Sequence, residues 1–361
     1  MHSSSLRTLL AATLLLAPCA VAAQGAAAFL DIPADARSAA MGGAGTALSA
    51  DAFSAFRNAA PLSSAETRAG GGYTYLPWMR SLIPETTLHA AAAYFKPNAK
   101  QAVSLGFRHF TQYGSERTDD NGNVLGRLCP RDMAFDIGYS RTIAKGLSAA
   151  LTGRYVRSDA GTGHTGNAVA FDAGLFYRQT LSRSHALNFG FQAANFGSGI
   201  DCGGGGQPLP WRLKAGVAAD LALAQAHRLT LTAEADWRLR PAESRAWSGR
   251  FGAEYRCCGI AALRGGYRLG NRSAGEQRYG SVGAGLRWKY VAADAAYLLA
   301  GESSPLHDTW MLTILFSWLP RALQRQTIWQ RERHLKMRME VLILKRFHGR
   351  HERDAYWQSG R

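Results

Sequence analysis

The sequence predicts an all-β protein: a transmembrane antiparallel β-barrel of about fourteen strands in an outer membrane, with an N-terminal plug. Three observations predict it. Apolar and polar residues alternate with a period of two along many segments of about ten residues, the length that crosses a bilayer as a tilted strand. The connections between these segments alternate between short and long. The 361-residue chain is 47% apolar, yet its body has no apolar run of about eighteen residues, which excludes a helical membrane protein. The 39 glycines and 37 aromatic residues fit short strands and tight turns rather than disorder.

The chain opens with an address. Residues 1–23 read as a secretory signal peptide: Arg7 is the positive end, Leu9 to Ala17 the apolar stretch, and Val21-Ala22-Ala23 the small residues before a cut at Gln24. An uncleaved anchor is the alternative, because Ala stays dense to Ala28. Cys19 follows Pro18, a poor context for lipidation. Export implies an oxidising compartment and leaves four cysteines, Cys129, Cys202, Cys257 and Cys258.

Residues 67–318 form the barrel. From Arg228 to Arg240, Leu229, Leu231, Ala233, Ala235, Trp237 and Leu239 alternate with Arg228, Thr230, Thr232, Glu234, Asp236 and Arg238. Trp211 to Leu221 and Trp247 to Tyr255 repeat the pattern. Fourteen such segments centre on Gly72, Ala92, Leu105, Ile137, Leu151, Ala173, Phe191, Ala215, Ala233, Ala253, Leu263, Ala284, Ala295 and Thr313. An even number of antiparallel strands closes without an edge. Trp211, Trp237, Trp247, Tyr255, Tyr267, Trp288 and Trp318 near strand ends supply interfacial girdles.

Loop lengths assign the sides. Short turns such as Ala144-Lys145-Gly146 belong to the periplasm, and long connections such as Gln112 to Asp132 and Gly197 to Pro210 to the outside. The Cys257-Cys258 turn is then periplasmic. Cys129 and Cys202 both fall in outer loops, so a bridge between them is geometrically allowed; two free thiols are the alternative. Arg256-Cys257-Cys258-Gly259 lacks the second ligand pair that zinc requires, so no metal is expected, nor any cofactor. Asp136, Arg154, Asp172, Arg212, Arg228, Glu234, Asp236, Arg250, Glu254, Arg264, Arg287 and Asp294 alternate inward and are expected to pair in the lumen. A barrel of this strand count needs a plug or conducts.

Residues 24–66 supply the plug. Phe29 to Pro61 do not alternate, and Arg37 to Ala50 is rich in small residues suited to a narrow lumen. Gly42-Gly43-Ala44-Gly45 follows no strand and lacks Lys-Ser/Thr, so it is no phosphate loop. Asp51 is placed to cap a short helix over Ala52 to Phe56. Arg37 and Asp51 are the candidate lumen partners, with capping or structural pairing as the plainer roles.

Phe29-Leu30-Asp31-Ile32-Pro33-Ala34-Asp35-Ala36-Arg37, with Met41-Gly42, Ala44-Gly45, Asp51-Ala52 and Asn58, resembles the start of the PorV/PorQ family of outer-membrane proteins, relatives of the FadL-like barrels. The resemblance implies a FadL-like barrel closed by an N-terminal hatch, with Asn58 among the plug residues. It also implies a Bacteroidetes outer membrane, contact with lipopolysaccharide, and service in type IX secretion, where such proteins receive secreted cargo by its C-terminal signal domain. Uptake of hydrophobic small molecules is the alternative it implies, and lipid A deacylation a third. The family usually has Asn-Pro-Ala where this chain has Asn58-Ala59-Ala60, which implies a looser joint between plug and barrel.

No residues advertise catalysis. Ser184-His185 sits on a periplasmic turn, while His109 and His164 lie near the outer rim, and none forms a nucleophile–base motif. A non-enzyme is expected. Thr309 to Trp318 reads as a last strand with Trp310, Leu312, Ile314, Phe316 and Trp318 on one face. Residues 319–361 form a basic tail; from Arg321 on it holds 11 basic and 4 acidic residues of a chain whose net charge is +16. Ile328 to Arg353 reads as a basic helix for anionic lipid or a partner, or as a solvated extension. No basic block sits on a nucleic-acid reading helix, so nucleic acid is not expected as a partner.

Overall fold

The computed structural model describes residues 27–318, apart from 81–82, 84, 114, 119–123, 162, 183, 204, 272–273 and 303. The signal peptide and the basic tail lie outside the described residues.

The strands are β1 (Ala69–Pro77), β2 (Glu85–Asn98), β3 (Gln101–Tyr113), β4 (Ser115–Thr118), β5 (Val124–Leu128), β6 (Arg131–Ala144), β7 (Leu147–Asp159) and β8 (Thr165–Thr180). They continue with β9 (His185–Gly197), β10 (Arg212–Ala224), β11 (His227–Arg238), β12 (Ala246–Cys257), β13 (Ala261–Leu269), β14 (Tyr279–Trp288), β15 (Val291–Leu299) and β16 (Trp310–Trp318). All but β4 and β5 form one closed antiparallel barrel, sealed where Tyr73 of β1 pairs with Ile314 of β16. Each of the fourteen predicted centres falls inside a barrel strand. β4 and β5 pair as a separate hairpin within the long connection from β3 to β6, where the sequence predicted only a loop.

The strands are longer than the expected ten residues in much of the barrel, reaching 16 in β8. Hairpins such as β6–β7 keep pairing from Arg131↔Asp159 to Ala144↔Leu147, further than the bilayer alone requires.

The alternation is realised as two faces. Leu231, Trp237, Trp247, Phe251, Leu312, Ile314 and Phe316 point outward, each more than 40% exposed, where lipid covers them. Their strand neighbours Glu234, Asp236, Arg250, Glu254 and Thr313 are buried inside. Trp237, Trp247 and Tyr267 ring the end with long connections, and Tyr255, Trp288 and Trp318 ring the short-turn end.

The interior is filled by the chain's own N-terminal segment. Four one-turn helices punctuate it, at Ala28–Asp31, Ala36–Ala39, Ser54–Arg57 and Ala60–Ser64. Asp35 caps the second by accepting the Ser38 N–H at 2.8 Å. Asp51 does not cap the third, as the sequence suggested: Phe53 holds the cap position without a side-chain bond, and the Asp51 carboxylate is drawn instead to two arginines. The segment descends through the lumen. Phe29, Leu30 and Ile32 pack on Leu76, Leu88, Phe110 and Val156 towards the long-loop end. Phe53 and Phe56 pack among Ala90, Ala92, Tyr94 and Phe176 towards the short-turn end.

Wall glycines make room for this backbone. A Cβ on Gly266 would strike the Met41 carbonyl carbon and the Gly42 amide nitrogen, and one on Gly190 the Thr46 carbonyl. Glycine inside a strand weakens it, so its use here marks a close approach of another backbone. Gly266→Val and Gly190→Val are each expected to cost about 1–3 kcal/mol through overpacking against unyielding main chain. Both should unseat the segment, seen as faster tryptic cleavage after Arg37 or Arg57 in a barrel that still shows its unheated gel mobility.

Candidate functional site

The segment is held by buried ion pairs to the wall and within itself. Arg37, on the second short helix, donates through Nε and Nη2 to the two oxygens of Glu254 on β12, at 3.0 and 3.1 Å. Its Nη1 reaches Asp51 Oδ2 at 3.2 Å. Arg57 ties the rest together: Nη1 contacts Asp35 at 3.0 Å and Nη2 contacts Asp51 at 2.5 Å. Asp35, Arg37, Asp51, Arg57 and Glu254 thus form one chain of alternating charge across the lumen. Burial opposes every charge in it. Burial pushes the Asp35 carboxyl up despite Arg57. For Asp51 burial acts in the same direction, but Arg57 and Arg37 together hold it below its ordinary value. Burial disfavours the Arg37 cation, and Glu254 and Asp51 more than reverse that, so it stays charged.

Two further anchors flank this chain. Glu234 on β11 accepts the Gly45 and Thr46 amides, both at 2.8 Å, through one oxygen. Its other oxygen receives Arg250 Nη1 at 3.1 Å, and that arginine also donates to the Gly43 carbonyl. At the long-loop end, Arg212 of β10 contacts Asp31 of the plug at 2.7 Å, Asp236 of the wall at 2.9 Å and Glu276 of the 270–278 loop at 2.7 Å. Arg108 of β3 donates to the Leu30 carbonyl at 3.1 Å and stacks over Phe56, 4.8 Å from the ring centroid. Arg154 is gripped by Asp136 and Asp172 at 2.6 and 3.0 Å, a brace within the wall.

The structure brings Arg37 and Asp51 into direct contact. It places Asn58 at the joint to the barrel, where Nδ2 donates to the Thr46 and Leu175 carbonyls at 3.0 and 2.9 Å and Oδ1 accepts the Ala60 N–H. The joint expected to loosen without a proline is therefore held by the asparagine, and Ala59 and Ala60 are buried beside it. Of the inward charges predicted from alternation, ten are buried; Arg228 and Arg287 are instead exposed and line a cavity at the short-turn end. Sequence reading missed Arg57, Asp35, Asp31, Arg108 and Glu276 as anchors. Arg108 shares the parity of Ser104 and Phe110 in β3 and was readable from it. The missed plug acids Asp31 and Asp35 gave no local signal, since their partners lie 181 and 22 positions away.

Cys129 and Cys202 stand in the long-loop end as free thiols in this structure; the Cys202 thiol lies 3.7 Å from the Ser158 carbonyl. Cys257 and Cys258, at a short turn, have sulfurs 3.3 Å apart. No group of three or more metal-binding side chains occurs among the described residues. The histidines do not converge. His109 stacks on Phe107 and lies tilted against His89 on the outer face, His164 lies beside Gly203 in the outer loops, and His185 begins β9 at the opposite end.

A closed outward-apolar barrel with an ion-paired N-terminal segment in its lumen defines the class: a plugged outer-membrane β-barrel of Gram-negative bacteria. Solved structures share the fold. The toluene transporter TbuX of Ralstonia pickettii superposes with a TM-score of 0.52 at 14% identity, over 79% of this chain and 98% of that one. The toluene transporter TodX of Pseudomonas putida gives 0.53 at 11%, over 78% and 98%. A Pseudomonas aeruginosa FadL homologue gives 0.51 at 12%, over 79% and 98%. No curated protein sequence matches the chain. The family model for type IX secretion system protein PorV matches residues 20–245, more than half the chain. The chain belongs to the PorV family.

Two predictions test the lattice. Arg57→Ala leaves Asp35 and Asp51 buried against each other, and should cost about 3–5 kcal/mol. Urea unfolding in detergent reads this, and Arg57→Lys should recover part of it. For acid stability, burial works against Glu276 ionisation, but Arg212, Arg268 and Arg238 bring its carboxyl down to about 2 from an ordinary 4.5. A depressed folded value means that its contribution is complete above 4.5 and lost as pH falls towards 2. Glu276→Gln should flatten the loss of unfolding midpoint across that window.

Proposed function

We propose that this protein is a type IX secretion component that binds secreted cargo or secretion-system partners at its long-loop end, in the outer membrane of a Bacteroidetes bacterium. The observation that carries the reading is the family match, which covers the plug and the strands as far as β11. The lumen supports it. A segment pinned by Arg37–Glu254, Arg212–Asp31 and Glu234 suits a barrel that acts as a rigid platform. The β4–β5 hairpin and the 198–211 connection offer the reach a protein partner needs. The role is one of binding, not catalysis. Ser182 Oγ, in the turn before His185, accepts the N–H groups of Ser184 and His185 and is used in building that turn.

The second reading is uptake of hydrophobic small molecules. It is favoured by the apolar cluster of Phe29, Leu76, Leu88, Phe110 and Leu209 at the outer end of the lumen, and by the fold shared with toluene transporters. Transport requires Phe29 and its neighbours to leave that cluster.

Affinity purification from detergent-solubilised native outer membranes, with mass spectrometry of bound proteins and lipids, separates the two. Cargo proteins sharing a C-terminal domain should co-purify, and deletion of 115–128 should reduce their recovery. A stoichiometric hydrophobic ligand with no protein partner would overturn the secretion reading in favour of uptake.

A further inference from the structure

A cavity of about 520 Å³ opens at the short-turn end, beneath the plug. It is bounded by Ser182, Ser184, Gly259 and Ile260 and by the approach to β1 at Glu66 and Thr67. Six arginines line it against five carboxylates. Four of these arginines are committed to ion pairs: Arg37 with Asp51 and Glu254, Arg178 with Asp220, Arg256 with Glu254, and Arg264 with Glu254 and Asp294. One carboxylate, Glu254, therefore serves three guanidinium groups. Arg228 and Arg287 have no ion pair among the described residues, and Glu66 is the single carboxylate left over.

The register places the cations together. Arg228 of β11 lies directly opposite Arg256 of β12. Arg256 is opposite Ala262 of β13, Ala262 is opposite Gly285 of β14, and Arg287 stands two residues on, on the same inner face. Gly285 leaves room for the paired Arg264 guanidinium and Asp294 carboxylate, which lie over it between Arg256 and Arg287, so the cavity wall carries Arg228, Arg256, Arg264 and Arg287 around that carboxylate. Like charges placed directly opposite on one face destabilise a sheet. Among the described residues Arg256 uses Nη2 alone, on Glu254 at 2.7 Å. A guanidinium offers a planar fork that matches phosphate or carboxylate in paired hydrogen bonds.

We propose that this vestibule is an anion site, built by Arg228, Arg256 and Arg287, for a small periplasmic molecule carrying two or more phosphate or carboxylate groups. The ligand neutralises the opposed arginines and sits directly under Arg37 and Asp51. Its occupancy therefore bears on the ion-pair chain that holds the plug. The site is on the opposite face from the proposed cargo surface and does not depend on that reading.

The test uses the full chain in detergent micelles at low ionic strength, titrated calorimetrically with tripolyphosphate and, separately, with citrate. Wild type should bind at least one of the two at a single site, and tighter binding of one assigns the chemistry. Each charged hydrogen-bonding partner removed is expected to cost about tenfold or more in affinity. Arg228→Ala/Arg287→Ala should therefore weaken binding at least that far, and the double Lys variant should retain part of it. Both side chains lack ion pairs, so the variant should keep the wild-type unheated gel mobility. Failure of both probes to bind at about 1 mM would overturn the proposal. So would binding equal in wild type and double Ala variant, because that result assigns the anion to another basic segment, such as 319–361.

Discussion

Everything in the lumen depends on charge that cannot reach bulk water. Asp35, Arg37, Arg57, Glu254, Arg212 and Asp236 are all at least 90% buried. Bringing such ions out of water costs several kcal/mol each, and only close, complementary partners offset it. Asp31, Asp35 and Asp51 of the plug accordingly each have an arginine, and Arg37 and Arg57 each at least one carboxylate. The contacts are coupled through shared partners. Moving the segment would break the Arg37–Glu254 and Arg212–Asp31 pairs and the Glu234 bonds to the plug amides together, leaving each wall residue with only its wall or loop partners. A weakly held plug would need few such pairs; this one crosses the barrel with them at three heights.

Packing follows from the same constraint. A segment that carries its own helical turns through a fourteen-strand barrel must pass within backbone contact of the wall. Glycine at Gly190, Gly252 and Gly266 permits that approach, and Glu234 then satisfies the two plug amides that no helix or strand would. The apolar residues of the plug fill what remains, Phe29 above and Phe53 with Phe56 below, with Arg108 lying over an aromatic ring from each group. Polar and apolar contacts therefore hold the same backbone path, which a purely apolar filling would leave free to slide.

The two ends of the barrel are chemically distinct. The long-loop end combines an apolar cluster with a hairpin and a long connection, and Arg212 links loop, plug and wall there. The short-turn end is polar and hollow, with cations in excess of their partners. A protein of this family that meets a partner outside the cell thus presents a different surface to the periplasm, with Arg37 and Asp51 between them.

The period-two pattern by itself determined the barrel. Pleating sends alternate residues to opposite faces, so Leu231 and Trp237 had to meet lipid if Glu234 and Asp236 met the lumen. Loop lengths set the sides, and the opening motif pointed to the family. Those are local properties, written within about ten residues of one another. Which charge meets which was decided only by closure. Asp51 looks like a cap beside its own helix, but folding puts it against Arg37 and Arg57, and a buried cation attracts a carboxylate more strongly than an exposed-turn amide would. Glu276 sits in a loop whose sequence is unremarkable until the barrel brings Arg212 and Arg268 beside it. Ion pairing has no sequence period, so partners separated by 217 positions, such as Arg37 and Glu254, become visible only when strand order and register are known.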